Sequence, residues 1–176
     1  MGATVVPVPT SGPTSDNYAL ISSVTPTNGS STLSFTGISG YRKLMLRVVE
    51  PGLSSGSTVT LTFNSDTGAN YAYQAAGMTS SSGAVAATYR AIKANGIAFT
   101  SVLTENLQQN LIINDANTTG VKTLSGFLYG GNFGGTTYPD FQGTYFASAA
   151  ISTVTLTVTT NTFTAAGTVA LYGVAV

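Results

Sequence analysis

The side chains that most often carry out catalysis are scarce in this chain, whose 176 residues include no histidine and no cysteine. General-base catalysis would therefore depend on a carboxylate or a lysine, and a serine nucleophile would lack its usual imidazole partner. A glycosidase needs two carboxylates across a cleft, and a pair drawn from Asp66, Glu105, Asp115 and Asp140 would supply them. Nothing in the spacing of these acids brings any two together, so we predict that the protein is not an enzyme.

Residues 64–68 (NSDTG) have the oxygen-rich composition of a calcium-binding loop. They lack the distal bidentate glutamate and the second acid that such loops use. Side chains of these types also bond readily to their own backbone, so a self-bonded turn explains the segment better. The lack of cysteine removes disulfides and zinc–thiolate sites as well. We therefore predict no metal site and no cofactor.

Aromatic rings are the remaining candidates for ligand binding, because the apolar face of a sugar packs against an exposed ring. The chain has nine tyrosines and eight phenylalanines. Tyr71, Tyr73, Phe133, Tyr138 and Tyr145 could form such a platform, although rings on strands usually have one buried face. Residues 130–139 are too glycine-rich to hold regular structure by themselves, so we predict that Phe133 and Tyr138 lie in an exposed loop.

The balance of charged residues argues against two classes of partner. Six basic and six acidic residues cancel, so no field steers the protein towards nucleic acid or an anionic membrane. No run approaches the roughly 18 apolar residues that span a bilayer, and the first residues do not have the pattern of a signal peptide. We predict synthesis in the cytoplasm and no nucleic-acid or membrane partner. Near-zero net charge promotes association, which favours a protein that belongs to an assembly.

The clearest strand covers residues 57–63, where apolar and hydroxyl residues alternate. Val59, Leu61 and Phe63 share one face and the threonines share the other, which predicts a half-buried strand. The next residues, Asn64 to Tyr71, include several that tolerate positive φ or bond their own backbone, and they should end the strand sharply.

The same patterns predict about nine or ten short strands and no amphipathic helix along the chain. Residues 19–25 and 31–36 should pair as a hairpin through the Asn28-Gly29 turn. We predict a loop over 77–83, a bulge at Gly126 and a strand over 144–149. Further strands are predicted at 41–49, 71–75, 84–95, 110–114, 122–129, 152–159 and 168–176, and a short strand or a turn at 97–103. This pattern is typical of an all-β protein with an antiparallel β-sandwich, and the strand number and long loops favour a jelly-roll-like one.

Residues 1–17 are predicted to form an extended N-terminal arm, and residues 18–176 a single β-sandwich domain. Proline fixes an extended backbone and resists both helix and central strand. A free tail gains nothing from apolar side chains, so the valines favour an arm that contacts a neighbouring subunit. The predicted contact residues are Val5, Val6, Pro7, Val8 and Pro9.

The order of several short segments resembles a family of tailed-bacteriophage virion proteins, which includes capsid decoration (cement) proteins and terminal modules of tail fibres. The matching segments are residues 40–46 (GYRKLML), 61–71 (LTFNSDTGANY), 112–117 (IINDAN), 121–123 (VKT) and 170–174 (ALYGV). Within 61–71 the motif residues are Asn64, Asp66, Thr67, Gly68, Asn70 and Tyr71. Ser65 departs from the pattern, because glycine is expected there.

The resemblance implies a jelly-roll-like sandwich, a structural or adhesive role, usually a homotrimer, and no catalytic residues. The function that we expect first is a decoration protein on the outer capsid surface of the virion. It would bind the major capsid protein, with the arm reaching over neighbouring capsid subunits. The alternative is a receptor-binding tip of a tail fibre or baseplate, which would recognise a host-surface glycan through Phe133 and Tyr138.

Overall fold

The computed structural model describes residues 16–49, 52–55, 57–79, 85–99, 107–130 and 136–176. Phe133 and the predicted arm contacts Val5, Val6, Pro7, Val8 and Pro9 lie outside these residues. Within them the chain forms twelve strands and no helix, which confirms the all-β prediction. The strands are β1 (Ala19–Val24), β2 (Thr32–Thr36), β3 (Tyr41–Val49), β4 (Val59–Phe63), β5 (Tyr71–Thr79), β6 (Val85–Ala94), β7 (Ile97–Phe99), β8 (Leu107–Asn114), β9 (Lys122–Gly130), β10 (Thr136–Tyr145), β11 (Thr153–Val158) and β12 (Thr168–Ala175).

The strands form two antiparallel sheets. The larger has eight strands in the order β1-β12-β3-β8-β9-β10-β5-β6, and the smaller has four in the order β2-β11-β4-β7. Four pairs are nested along the chain, namely β1 with β12, β2 with β11, β3 with β8 and β4 with β7. Successive nested pairs lie alternately in the larger and the smaller sheet, and the hairpins β5–β6 and β9–β10 widen the larger sheet beyond β8.

Apolar side chains that alternate with polar ones along the strands form one core between the two sheets. In β11, Val154, Leu156 and Val158 are buried while the intervening threonines are less so, and Leu156 lies opposite Leu33 and Leu61 in its two neighbouring strands. Residues of both sheets belong to the same hydrophobic cluster, so the arrangement is sandwich-like. Each such side chain contributes about 1.5–3 kcal/mol, and cross-strand threonine pairs contribute about 0.2–1 kcal/mol, so burial sets the register.

The predicted hairpin between β1 and β2 is wrong, because the two strands belong to different sheets. The Asn28-Gly29 turn does form, with φ of 86° at Gly29, but it lets the chain cross between the sheets. The backbone N–H of Gly29 donates to the carbonyl of Phe163 instead of to a hairpin partner. The local turn signal therefore identified the bend correctly and the pairing incorrectly.

Three further predictions fail around β5, β9 and β10. The predicted loop over 77–83 begins too early, because β5 continues to Thr79. Tyr138 lies in β10 and not in a loop; the register of β10 shifts between Thr137 and Asp140, an irregularity that accommodates Pro139. β10 ends at Tyr145, so no strand covers 144–149.

The pairing of Gly126 with Leu111 on β8 is regular. On its other side the register with β10 shifts between Tyr138 and Phe141, next to Gly126, so the predicted irregularity is present but the extra residue lies in β10. Glycine is required there for a different reason, because a Cβ would collide with the carbonyl oxygen of Asn110 on β8. The glycine in this strand pattern therefore marked a close approach of two backbones.

The two edges of the larger sheet are both irregular. In β1 the register shifts between Leu20 and Ser22. In β6 two residues lie opposite one residue of β5 at two places, between Tyr71 and Tyr73 and between Ala75 and Gly77. Lys93, in the first of these β6 bulges, has a φ of 56°. Bulges and charged side chains discourage a further strand from pairing with an edge.

Candidate functional site

Six segments that link or flank strands meet at one end of the sandwich, which we call the loop end. These segments are residues 16–18, 37–40, 64–70, 115–121, 146–152 and 176. Backbone hydrogen bonds join them: Ala116 N–H donates to Arg42 O at 3.0 Å, Ile151 N–H to Ala116 O at 2.7 Å, and Val176 N–H to Gly40 O at 3.0 Å. The segments singled out by the phage resemblance either lie at this end or lead into it.

The loop after β4 begins with a tight turn. Asp66 N–H donates to Phe63 O at 2.8 Å, and φ is 53° at Asn64 and 56° at Ser65. Positive φ at both central residues is the signature of a type I′ turn, in which glycine is favoured at the second position. The turn therefore forms with Ser65 in a backbone conformation that a side chain resists.

Asn64 links this turn to the segment before β11. Its Nδ2 donates to Ala150 O at 2.9 Å, and its Oδ1 accepts from the backbone N–H of Ser152 at 2.8 Å and of Thr153 at 3.2 Å. These bonds join residues almost ninety positions apart in the chain. The motif asparagine thus holds two loops together and has no free polar group to offer a ligand.

The carboxylate of Asp66 is saturated in the same way. Oδ1 accepts from Gly68 N–H at 2.8 Å, and Oδ2 accepts from Asn70 Nδ2 at 2.8 Å and from the Tyr145 hydroxyl at 3.0 Å. Burial alone would raise the pKa of Asp66, but these hydrogen bonds outweigh burial and hold the pKa below its usual value. The self-bonded turn predicted from the sequence is present. Among the described residues no group of three or more acids could hold a metal ion.

Tyr71 and Tyr145 form the buried wall behind this loop. Their rings stack with centroids 4.7 Å apart, and the Tyr71 hydroxyl accepts from Phe63 N–H at 2.9 Å and donates to Asp66 O at 3.1 Å. Burial raises the pKa of Tyr71 to about 12, and burial together with Tyr71 and Asp66 raises that of Tyr145. Tyr73 is buried too, so none of these three rings is a sugar platform. Thr67 and Gly68 are the exposed members of the motif.

Lys122 has a structural role that the sequence analysis missed. Its side chain is fully buried, and its Nζ donates to the carbonyl oxygens of Gly120 at 2.8 Å, Ala147 at 3.1 Å and Ala149. Burial lowers the pKa of this ammonium group. The available signal was that Lys122 occupies an inward position of β9, in line with the buried Leu124.

The described chain begins at the loop end. The Asp16 carboxylate accepts from Arg42 Nη2 at 2.6 Å and from Lys43 Nζ at 2.5 Å. The hydrogen bonds from Lys43 and Arg42 hold the pKa of Asp16 below its usual value. Asp16 falls within the stretch predicted as an arm, yet it is fixed to the domain at the loop end.

The loop end also presents apolar side chains to solvent. Val121, Phe146 and Val176 are exposed, Phe146 by 54%. Exposed large apolar groups that lie close together commonly mark an interaction site. The loop end therefore combines a rigid hydrogen-bonded base with an apolar surface.

The face of the larger sheet that points away from the core is here called the outer face, and described residues line two depressions on it. One has a volume of about 380 Å³ and lies over β10, β5 and β6, between Gln142, Gln74, Arg90 and Ile92. The other has a volume of about 140 Å³ and lies over β3, β8 and β9, between Arg47, Val49, Asn110 and Phe127. We call the second one the Asn110 pocket.

Among the described residues no helix is present that is long and apolar enough to cross a membrane. Comparison with known proteins finds no matching family model, no matching curated protein and no matching solved structure.

Proposed function

We propose that this protein is a structural protein of a tailed-bacteriophage virion that decorates and reinforces the outer capsid shell. In this proposal it binds the major capsid protein through the loop end and residues 1–15, as a homotrimer at the outer capsid surface. The observation that carries the proposal is the loop end itself, which exposes the apolar side chains of Val121, Phe146 and Val176 and at which the described chain begins with Asp16.

The strand order supports the jelly-roll interpretation. The nested pairs describe one long antiparallel ribbon, from β1 paired with β12 to β4 paired with β7, wound so that its segments alternate between the two sheets. A jelly roll is built in this way from eight strands. β5, β6, β9 and β10 would then be additions that widen one sheet.

The hydrogen bonding of the motif residues also fits a role in contact. Asn64 and Asp66 make their bonds within the loop end, so the loop end keeps its shape before a partner binds. A preorganised surface loses less conformational entropy on association, which favours tight attachment. The receptor-binding alternative has less support, because Tyr138 lies in β10 and Phe133 lies outside the described residues.

Binding to capsid shells assembled without this protein tests the proposal. Wild type should sediment with the shells, and deletion of residues 1–15 or the substitution Phe146→Ala should each weaken binding by at least about tenfold. Phe127→Ala is the matched control, because that ring is also exposed but lies on the outer face away from the loop end. Absence of wild-type binding would refute the proposal, and equal losses for the two phenylalanine variants would refute the assignment to the loop end.

A further inference from the structure

We propose that the Asn110 pocket binds a single acidic sugar, such as a hexuronic acid unit of a glycan. This inference goes beyond the capsid role and does not depend on it. The pocket lies on the outer face towards the end of β3, and Asn110 is five residues from the loop-end segment that begins at residue 115, which is roughly 17 Å along β8. A protein attached by its loop end would leave the pocket accessible.

The first observation is a buried acceptor without a partner. The Oδ1 atom of Asn110 is buried, and it accepts no hydrogen bond within the described part of the chain. An unsatisfied buried carbonyl is destabilising, so such groups usually have a functional reason to remain. Rotation of the Asn110 side chain would turn this oxygen towards the pocket, where a sugar hydroxyl would donate to it.

The second observation is a free cation beside that acceptor. Arg47 lies directly opposite Asn110 in the pairing of β3 with β8, and it is exposed. It has no ion-pair or hydrogen-bond partner among the residues that the structure describes. A guanidinium group binds a carboxylate through two parallel hydrogen bonds, which gives the pocket a preference for an acid.

The third observation is an aromatic ring on the other side of Asn110. Phe127 lies directly opposite Asn110 in the pairing of β8 with β9, and its side chain is 41% exposed. Its ring supplies the apolar surface against which the C–H face of a pyranose packs. Neighbouring strands are about 4.8 Å apart, so Arg47 and Phe127 are separated by roughly 10 Å, with room for one ring between them.

The relative positions of these three groups restrict the class of ligand further than the chemistry of each group alone. The ring would lie against Phe127, a hydroxyl would bind Asn110, and the carboxylate would bind Arg47. The pocket volume of about 140 Å³ suits one sugar unit and not a longer segment of chain. The larger depression near Arg90 has no unpartnered buried acceptor among its described lining residues and carries no such argument.

The experiment measures binding of four methyl glycosides by ligand-observed NMR, namely the glucuronide, the galacturonide, the glucoside and the galactoside. Each acid differs from its neutral counterpart at one carbon, so the pair isolates the carboxylate. We expect at least one acid to bind with a Kd below about 10 mM, and to bind at least about fivefold more tightly than its neutral counterpart. Failure of both acids to bind up to that concentration would overturn the proposal, and so would equal binding of acid and neutral sugar.

Three variants test the assigned residues. Arg47→Met should reduce binding of the acid to the level of the neutral sugar, and Phe127→Ala and Asn110→Leu should each weaken binding by at least about fivefold. Asn110→Leu removes the unsatisfied acceptor, so its melting temperature should equal or exceed that of wild type. Retained binding in Asn110→Leu would overturn the assignment, and a lowered melting temperature would mean that Asn110 is structural.

Phe146→Ala at the loop end is the control and should leave sugar binding unchanged. The same pair of phenylalanine variants has the opposite expectation in the shell-binding experiment, so failure of one proposal is distinguishable from failure of the other. A poly-glutamate peptide completes the design: if it binds the Asn110 pocket and the sugars do not, the pocket recognises an acidic protein segment and the saccharide proposal is wrong.

Discussion

Alkaline pH should destabilise this protein through the tyrosines behind the Asn64–Tyr71 loop. Tyr71 is 0% exposed, and its hydroxyl bonds to the main chain of Phe63 and Asp66. Burial raises its pKa to about 12 from an ordinary value of 10.0. Tyr145, stacked on Tyr71, also has a raised pKa, first because of burial and then because of Tyr71 and Asp66.

The sign follows from proton binding. Above pH 10 the unfolded chain loses the Tyr71 proton while the folded protein retains it, so stability is fully present below pH 10 and is lost as the pH rises towards 12. A difference of about two pKa units corresponds to about 2–3 kcal/mol for Tyr71 alone. Domains of this size have total stabilities of about 5–15 kcal/mol, so the loss from Tyr71 is a measurable fraction of the total.

The pKa shift of Lys122 has the opposite effect on stability, and it acts over a lower pH range. Burial lowers the pKa of its ammonium group, so between the folded value and 10.5 the unfolded state binds more protons and stability rises with pH. The net loss of stability at alkaline pH should therefore begin only above about pH 10, where the gain from Lys122 is nearly complete and Tyr71 of the unfolded chain loses its proton. A stability maximum on the alkaline side of neutrality is the expected shape.

The assay is urea unfolding from about pH 8 to pH 12 for wild type, Tyr71→Phe and the control Tyr172→Phe, whose ring lies on the outer face. Tyr71→Phe should be less stable near neutral pH, because it loses its bonds to Phe63 and Asp66. It should also lose less stability between pH 10 and 12 than wild type and the control. If its free energy of unfolding falls with pH as steeply as that of wild type, the reasoning about buried phenols is wrong.

Three further substitutions should change the free energy of unfolding, which urea unfolding measures. Ser65→Gly should raise the free energy of unfolding by about 1 kcal/mol, because a side chain in the left-handed region is strained; Thr67→Gly, without positive φ, should lower it. Asn64→Ala should lower it by about 2–4 kcal/mol through the loss of several hydrogen bonds. Gly126→Ala should lower it by about 2–3 kcal/mol because its Cβ meets backbone of β8, while Gly120→Ala should be nearly neutral.

The sequence predicted those parts of the fold that depend on short-range pattern. The bounds of β3 agree with the prediction, and the inward positions Leu44, Leu46 and Val48 are buried as expected. Period-two alternation reports directly on which face of a strand is buried, so it needs no knowledge of the neighbouring strand. The self-bonded turn at Asp66 was predictable for the same reason, since its bonds to Gly68 and Asn70 are local.

Pairing and long-range contacts were beyond the reach of such patterns. β1 pairs with β12, about 150 residues later in the chain, and no feature of residues 19–25 identifies that partner. The burial of Lys122 depends on carbonyl groups of Ala147 and Ala149, which come close only when β9 and β10 have paired. The Asn110 pocket likewise exists because β3 and β9 flank β8, which places Arg47 and Phe127 on the two sides of Asn110.

The two irregular edges of the larger sheet restrict how this protein can contact others. A partner that added a strand to β1 or β6 would need a continuous row of free backbone groups, and the bulges beside Ile21 and at Lys93 interrupt that row. Contact through the larger sheet is then left to surfaces made of side chains. The described loop end and the outer face are two such surfaces, and they differ in chemistry: one presents Phe146 with other apolar groups, and the other presents Arg47 beside an unsatisfied acceptor. One small sandwich therefore has room for attachment at one end and recognition of a charged ligand on a separate face.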